Sequence, residues 1–228
     1  MSTSVEPRIG HERTVFAASE FRRLAGLHLL DEPSAAASDL SLPAERGDHD
    51  LNPDLAAEVY GEGPSRLAAV LVPLVPREDG LAVILTRRTE HLSSHAGQIA
   101  FPGGKVEKGD QGPLQAALRE TREEIGIASD RIEPLGYLDT YQTRSGFRIV
   151  PVVAFVDPHA ELVPDPGEVA AAFEVPLSFL MTPANHRRDS REWRSRRRYF
   201  YAMPFREHHI WGVTAGIIRN LYERVYGR

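Results

Sequence analysis

The sequence predicts an α/β fold in which a mixed β-sheet lies between helices. Three features carry that prediction. Two dense apolar runs, Leu67 to Val75 and Leu81 to Leu85, flank the turn-forming Pro76-Arg77-Glu78-Asp79-Gly80. Leu114 to Glu124 has helical periodicity and is followed by further strand-like runs. A last helical stretch, Val213 to Tyr226, closes the chain. Strands, one helix, more strands and a final helix are an order in which helices can cover a sheet.

The elements follow in order. From Thr14 to Leu30 the spacing of Phe16, Phe21, Leu24 and Leu27 predicts one amphipathic helix with Arg22 and Arg23 outward. Asp31 to Asp50 is rich in Ala, Ser, Asp, Pro and Gly, a composition expected of a linker or loosely held arm. A short helix is expected to start at Pro53 and run towards Tyr60. The two apolar runs after Arg66 then form a β-hairpin, because Pro and Asp-Gly supply its turn. Beyond the bend Phe101-Pro102-Gly103-Gly104, the residues Leu114, Ala117, Leu118, Thr121 and Ile125 make one apolar stripe on a helix that Gly126 ends. Strands are expected at Ile132 to Asp139, Phe147 to Val156 and Tyr199 to Phe205. In the closing helix, Ile217, Ile218, Leu221 and Val225 form the buried side.

Composition narrows the classes of function. The chain has 228 residues, 42% hydrophobic and 26% charged, which excludes disorder throughout and fits one large domain with tails. There is no cysteine, so thiol nucleophiles, disulfides and Cys-based zinc sites are excluded. The net charge of -5 gives no general attraction to nucleic acid or anionic lipid. Met1 to Arg13 does not resemble a secretory signal, and no stretch approaches the roughly 20 apolar residues of a membrane span. A cytoplasmic, soluble protein is expected.

The chemistry concentrates at Gly103 to Ile127. Glu120, Glu123 and Glu124 are three and four residues apart on one helix, so their carboxylates share a side and repel one another. Arg119 offsets part of this charge through its step-of-four partner Glu123. A hard divalent cation with oxygen ligands would offset the rest. The Gly103-Gly104 bend lets the backbone approach a ligand. An exposed acidic helix face is the ordinary alternative for such a run. The conjunction of bend, Arg-Glu pair, double Glu and terminal Gly argues against it.

These residues resemble the Nudix hydrolases, whose signature is G-x5-E-x7-R-E-U-x-E-E-x-G-U with U apolar. Arg119-Glu120-Thr121-Arg122-Glu123-Glu124-Ile125-Gly126-Ile127 matches its second half, with Thr121 at the first U. In the first half the acid is Asp110, and the spacer to Arg119 is one residue longer than the signature. That longer box resembles the coenzyme A pyrophosphatase branch, which also carries L-L-T-x-R-S-x3-R-x3-G-x3-F-P-G-G upstream. Ile84-Leu85-Thr86-Arg87-Arg88-Thr89 and Gly97-Gln98-Ile99-Ala100-Phe101-Pro102-Gly103-Gly104 match it, with Ser93 at its second basic position.

The resemblance implies a Nudix-like α/β/α sandwich over residues 63–228, preceded by a helix and flexible segment at 1–62. It implies hydrolysis of the pyrophosphate bond of coenzyme A or its thioesters to 3′,5′-ADP and 4′-phosphopantetheine or its acyl form, with Mg²⁺ or Mn²⁺. The metal ligands would be Glu120, Glu123 and Glu124 with a carbonyl of Gly103 or Gly104, and Arg119 would orient a carboxylate. The general base would be a helix glutamate, Glu168 or Glu174. Arg87, Arg88, Gln98 and Phe101 are the candidates for substrate contact. Adjacent strand residues face opposite ways, so one of the two arginines is expected at the phosphates. His95 is a further candidate, against the ordinary alternative of a solvated loop. The basic run Arg187 to Arg198 reads as an exposed hairpin, with a 3′-phosphate contact or RNA binding as alternatives. Trp193 and Tyr199 beside it read as packed aromatics, with base stacking as the alternative. Another nucleotide substrate, such as ADP-ribose or NADH, and a non-catalytic binding module stay open, as does a homodimer through the first helix.

Overall fold

The computed structural model describes residues 15–55, 65–91, 95–193 and 196–227. Thr14, the helix expected beyond Leu55, Ser93, Arg194 and Ser195 lie outside the described residues.

The predicted hairpin is the centre of the molecule. Strand β2 (Arg66–Arg77) and strand β3 (Gly80–Arg88) pair antiparallel with Arg77 opposite Gly80, leaving Glu78 and Asp79 as a two-residue turn. Gly80 has φ 115, a conformation that side chains resist, which explains the Asp-Gly step. Strand β8 (Phe147–Val156) lies parallel to β2 on its other side, so the sheet is mixed. Around this core sit β1 (Arg46–Gly47), β4 (Ile99–Ala100), β5 (Gly103–Lys105), β6 (Ile132–Tyr137), β7 (Tyr141–Gln142) and β9 (Val169–Pro176), giving nine strands among the described residues.

Alternate residues of the long strands face two different cores. Val72, Leu74, Val83, Leu85, Val153 and Phe155 face helix α1 (Ala18–His28) and the closing helix, here α5 (Gly212–Val225), after the short helices α2 (Ala35–Ser38) and α4 (Leu177–Leu180). Leu71, Val75, Ile84, Val152 and Ala154 face helix α3 (Pro113–Ile125) through Ala116, Ala117 and Ile125. The result is the expected sandwich of helices on both faces of a mixed sheet. A second sheet, β10 (Arg187–Trp193), β11 (Arg196–Phe205) and β12 (His208–Trp211), stands beside it. Among the described residues, no helix is long and apolar enough to cross a membrane.

Two expectations are corrected. Leu27 is 63% exposed, so the stripe of α1 is carried by Phe21 and Leu24 as expected and by Ala25 in place of Leu27, all packed on the chain's own core. Asp31 to Asp50 is not a loose linker. Ala36, Ala37 and Ala44 are buried, and β1 extends the sheet by pairing with β7. The fully buried Arg148 of β8 explains this order: its guanidinium donates to Gln142 Oε1 and to the carbonyls of Ala36 and Leu42. Small residues pack there because a cation takes the carbonyls, a role that apolar composition does not report.

Candidate active site

The turn of α3 that carries three glutamates faces the Gly-Gly strand. Helix α3 begins with Pro113 in its first turn and ends on Gly126 at φ 76, whose amide bonds Arg122 O. Thr121 keeps the apolar stripe dry because its hydroxyl donates to Ala117 O at 2.7 Å. Strand β5 pairs antiparallel with β2, bringing Gly103 opposite Val70. A Cβ on Gly104 would fall inside 3.0 Å of the Glu120 carboxyl carbon and both its oxygens. Glycine there makes room for a carboxylate against bare backbone. Gly103 donates its N–H to Glu124 Oε2 at 3.2 Å.

The three glutamates have different surroundings. Glu124 is buried, with 4% of its side chain exposed, and its carboxyl is pushed up to about 7. Burial is the main cause; the Gly103 amide and Arg88 pull it down, while Glu120 and Glu168 push it further up. Glu120 is also raised, again chiefly by burial, with the charges of Glu123 and Glu168 adding to it. Glu123 is 61% exposed and is held outward by Arg119 Nη1 at 3.0 Å. The step-of-four pair expected between them is present.

Arg119 is locked on all sides. Its Nη1 also reaches Glu120 Oε1 at 2.9 Å, its Nη2 reaches Lys105 O at 3.1 Å, and its Nε and Nη2 bond Asp110 at 3.2 and 3.1 Å. Those hydrogen bonds hold the Asp110 carboxyl below its usual range. Asp110 also accepts the Glu107 amide, so it ties the loop before the helix to the arginine.

The upstream motif ends at the same place. Arg88 lies 3.6 Å from Glu124, and its Nε is buried without a hydrogen-bond partner among the described residues. Arg87, one residue earlier, lines a cavity on the other face with Gln98. The opposite orientations expected of neighbouring strand residues are therefore present. Gln98 accepts the Arg88 amide through its carbonyl, and its side chain meets His95 Nδ1 at 2.9 Å.

Two candidates are corrected. Phe101 is 4% exposed and packs in the core shared with α5, where its ring is occupied by apolar neighbours. Glu174 is bound by Arg77 Nε and Nη2 at 3.0 and 2.6 Å, opposite Ile84 in the β3–β9 ladder, so it belongs to a surface ion pair. Glu168 is exposed, and its charge reaches both Glu120 and Glu124. The basic run forms the β10–β11 hairpin, with Arg198 drawn in to Asp48 and Arg188 lying over the Tyr199 ring at 3.9 Å.

A NUDIX domain model matches residues 65–197, spanning both the upstream motif and the glutamate helix. The chain belongs to the Nudix hydrolase family. The uncharacterized Nudix hydrolase NudL of Enterobacter sp. (strain 638) is 37% identical over 171 residues, covering 75% of this chain and 87% of that protein. NudL of Photorhabdus laumondii subsp. laumondii is 40% identical over 163 residues, covering 71% and 86%. Among solved structures, the Nudix hydrolase RenU of M. smegmatis has a TM-score of 0.43 at 25% identity, covering 49% of this chain and 71% of that one.

Nudix hydrolases generally act on small nucleotide-derived substrates and use divalent metal ions. The donors of this Nudix site suit such an ion. Glu124 and Glu120 bring two carboxylates to a half-buried notch beside Arg88 and Arg119, and carboxylate oxygen is the ligand type that hard cations take. Among the described residues, no three acidic or histidine side chains converge as a finished cage, and Glu123 is paired with Arg119 at the rim. The notch is therefore a two-carboxylate seat that suits an ion retaining water and sharing its shell with phosphate.

Proposed function

We propose that this Nudix hydrolase cleaves the pyrophosphate bond of coenzyme A or its thioesters, giving 3′,5′-ADP and 4′-phosphopantetheine or its acyl form. One observation carries the reading: the upstream motif and the glutamate helix meet through Arg88 and Glu124. An upstream motif that resembles the coenzyme A branch and delivers a guanidinium to the carboxylate notch, its Nε without a partner among the described residues, is suited to a diphosphate bridge.

Glu120 and Glu124, with a carbonyl of Gly103 or Gly104, would hold Mg²⁺ or Mn²⁺, and Glu123 would join them on turning in from its pair with Arg119. When bound, such an ion screens the carboxylates, stabilises charge on phosphoryl oxygens and lowers the pKa of a coordinated water. The chain's own residues do the rest. Arg88 binds a phosphate oxygen beside Glu124. Arg119, held by Asp110, Glu120 and Lys105 O, orients Glu120 and Glu123 and stays off the substrate. Glu168 takes a proton at its carboxylate from the attacking water as oxygen bonds to one phosphorus and the bridging oxygen leaves with the other.

The test is turnover of coenzyme A, acetyl-coenzyme A, NADH and ADP-ribose at equal concentration with Mg²⁺ or Mn²⁺, with products identified by mass. Coenzyme A or its thioester should lead by at least about tenfold in kcat/KM. If NADH or ADP-ribose leads by that margin, the substrate assignment is wrong.

A further inference from the structure

Arg87 turns away from the glutamates into a cavity of about 440 Å³, lined also by Glu90, Gln98, His208, His209 and Trp211. That volume falls in the range of about 300–1,000 Å³ usual for small-molecule sites. Its walls come from two places far apart in sequence, the upstream motif and strand β12 of the second sheet.

Each wall has its own chemistry. Trp211 is braced by Phe200, with ring centroids 5.2 Å apart, and is stacked with His209 at 6.3 Å and 28°. His208 lies flat on Phe173 at 3.7 Å and 8°, which fixes the strand that presents this ledge. Arg87 is exposed and makes no ion pair or side-chain hydrogen bond among the described residues. The Glu90 carboxylate rests against Gly97, where a Cβ would collide with it and where φ is 66. The cavity thus offers an aromatic ledge, an uncommitted guanidinium, and a carboxylate and an amide able to meet polar ring edges.

We propose that this cavity receives the adenosine 3′-phosphate half of the substrate, with adenine on the Trp211–His209 ledge and the 3′-phosphate on Arg87. The assignment rests on the coenzyme A reading above. The pantetheine half carries amides and a thiol but neither ring nor charge, so it matches neither the ledge nor the guanidinium. The pyrophosphate joins the two halves, and Arg88, the next residue along β3, stands at the diphosphate notch. Glu90 and the exposed Glu207 would repel a phosphate, which makes the Arg87 charge decisive for ligands bearing the 3′-group.

The experiment is calorimetric binding of 3′,5′-ADP and of 5′-AMP to the full-length wild type and to Arg87→Gln and Trp211→Leu, with circular dichroism confirming the fold. Arg87→Gln should weaken 3′,5′-ADP about tenfold and leave 5′-AMP unchanged, the loss expected for one charge-assisted phosphate contact. Trp211→Leu should weaken both about tenfold, as stacking loss does. Arg87 is exposed and has no side-chain partner among the described residues, so its variant keeps the test valid if the Trp211 variant misfolds. If the wild type cleaves coenzyme A while Arg87→Gln binds 3′,5′-ADP with wild-type affinity, the nucleotide half lies elsewhere and the proposal falls with the function intact. If the wild type ignores coenzyme A and cleaves NADH or ADP-ribose, the function falls and takes the 3′-phosphate assignment with it.

Discussion

The Arg88 guanidinium lies 3.6 Å from the buried Glu124 carboxylate, near enough to lower its pKa but too far to hydrogen-bond it. The arginine stabilises the charged form of the acid, and its own Nε is buried without a hydrogen-bond partner among the described residues. Arg88→Met should therefore have two effects. Turnover should fall by about ten- to a hundredfold through lost phosphate binding. The acid limb of the pH–rate profile should move to higher pH, because removing the cation raises Glu124. An unmoved acid limb would show that the two groups are not coupled.

Glu124 also predicts how the metal-free protein responds to pH. Its folded value of about 7 lies above the ordinary 4.5, so folding is favoured while it is protonated. That stability is fully present below 4.5 and is lost as pH rises through 7. The window is worth about 3 kcal/mol, since each tenfold change in proton affinity corresponds to about 1.4 kcal/mol. Urea unfolding in EDTA should give lower stability at pH 8 than at pH 5, and Glu124→Gln should flatten most of that difference. Added Mn²⁺ should raise stability at pH 8 in the wild type and much less in the variant.

The two glycines of the bend should fail differently. A Cβ on Gly104 meets only the end of a flexible side chain, the Glu120 carboxylate. Gly104→Ala should therefore fold nearly normally and lose about a hundredfold or more in kcat by displacing that carboxylate. A Cβ on Gly103 meets Ala69 O and the Cα of Val70, and its φ is 152. Gly103→Ala should cost about 2–3 kcal/mol, because the β5–β2 pairing must open. Thermal melts beside kinetics on both variants separate the two cases.

Arg148 predicts the fate of the N-terminal arm. Removing a fully buried guanidinium leaves the carbonyls of Ala36 and Leu42 without their donor, and Gln142 Oε1 with the Ser65 hydroxyl at 3.2 Å. Arg148→Met should lower stability by about 3 kcal/mol and expose Asp31 to Asp50 to protease, with cleavage sites read by mass spectrometry. A variant as resistant to cleavage there as the wild type would show that Arg148 does not order the arm.

The parts of this molecule legible in its sequence are those set by short-range rules. Asp79-Gly80 marks the hairpin because one residue needs positive φ, and Gly126 marks the helix end for the same reason. The Arg119–Glu123 pair follows from helix geometry. What stayed hidden depends on long-range packing. A Phe-Pro-Gly-Gly string does not say which way Phe101 points, and it points into the core. The partner of Glu174 is Arg77, 97 residues away. Ala36 and Ala37 look like linker residues until Arg148 arrives from another strand. The ledge of His209 and Trp211 carries no spacing signal, since β12 meets β4 only in the folded chain.

The most direct test is product analysis of coenzyme A incubated with Mn²⁺ and either the wild type or Glu124→Gln. The wild type should release 3′,5′-ADP and 4′-phosphopantetheine, with none formed in EDTA, and the variant should turn over at least about a thousandfold more slowly. Intact coenzyme A with the wild type, or equal turnover by the variant, would overturn the role assigned to the glutamate notch.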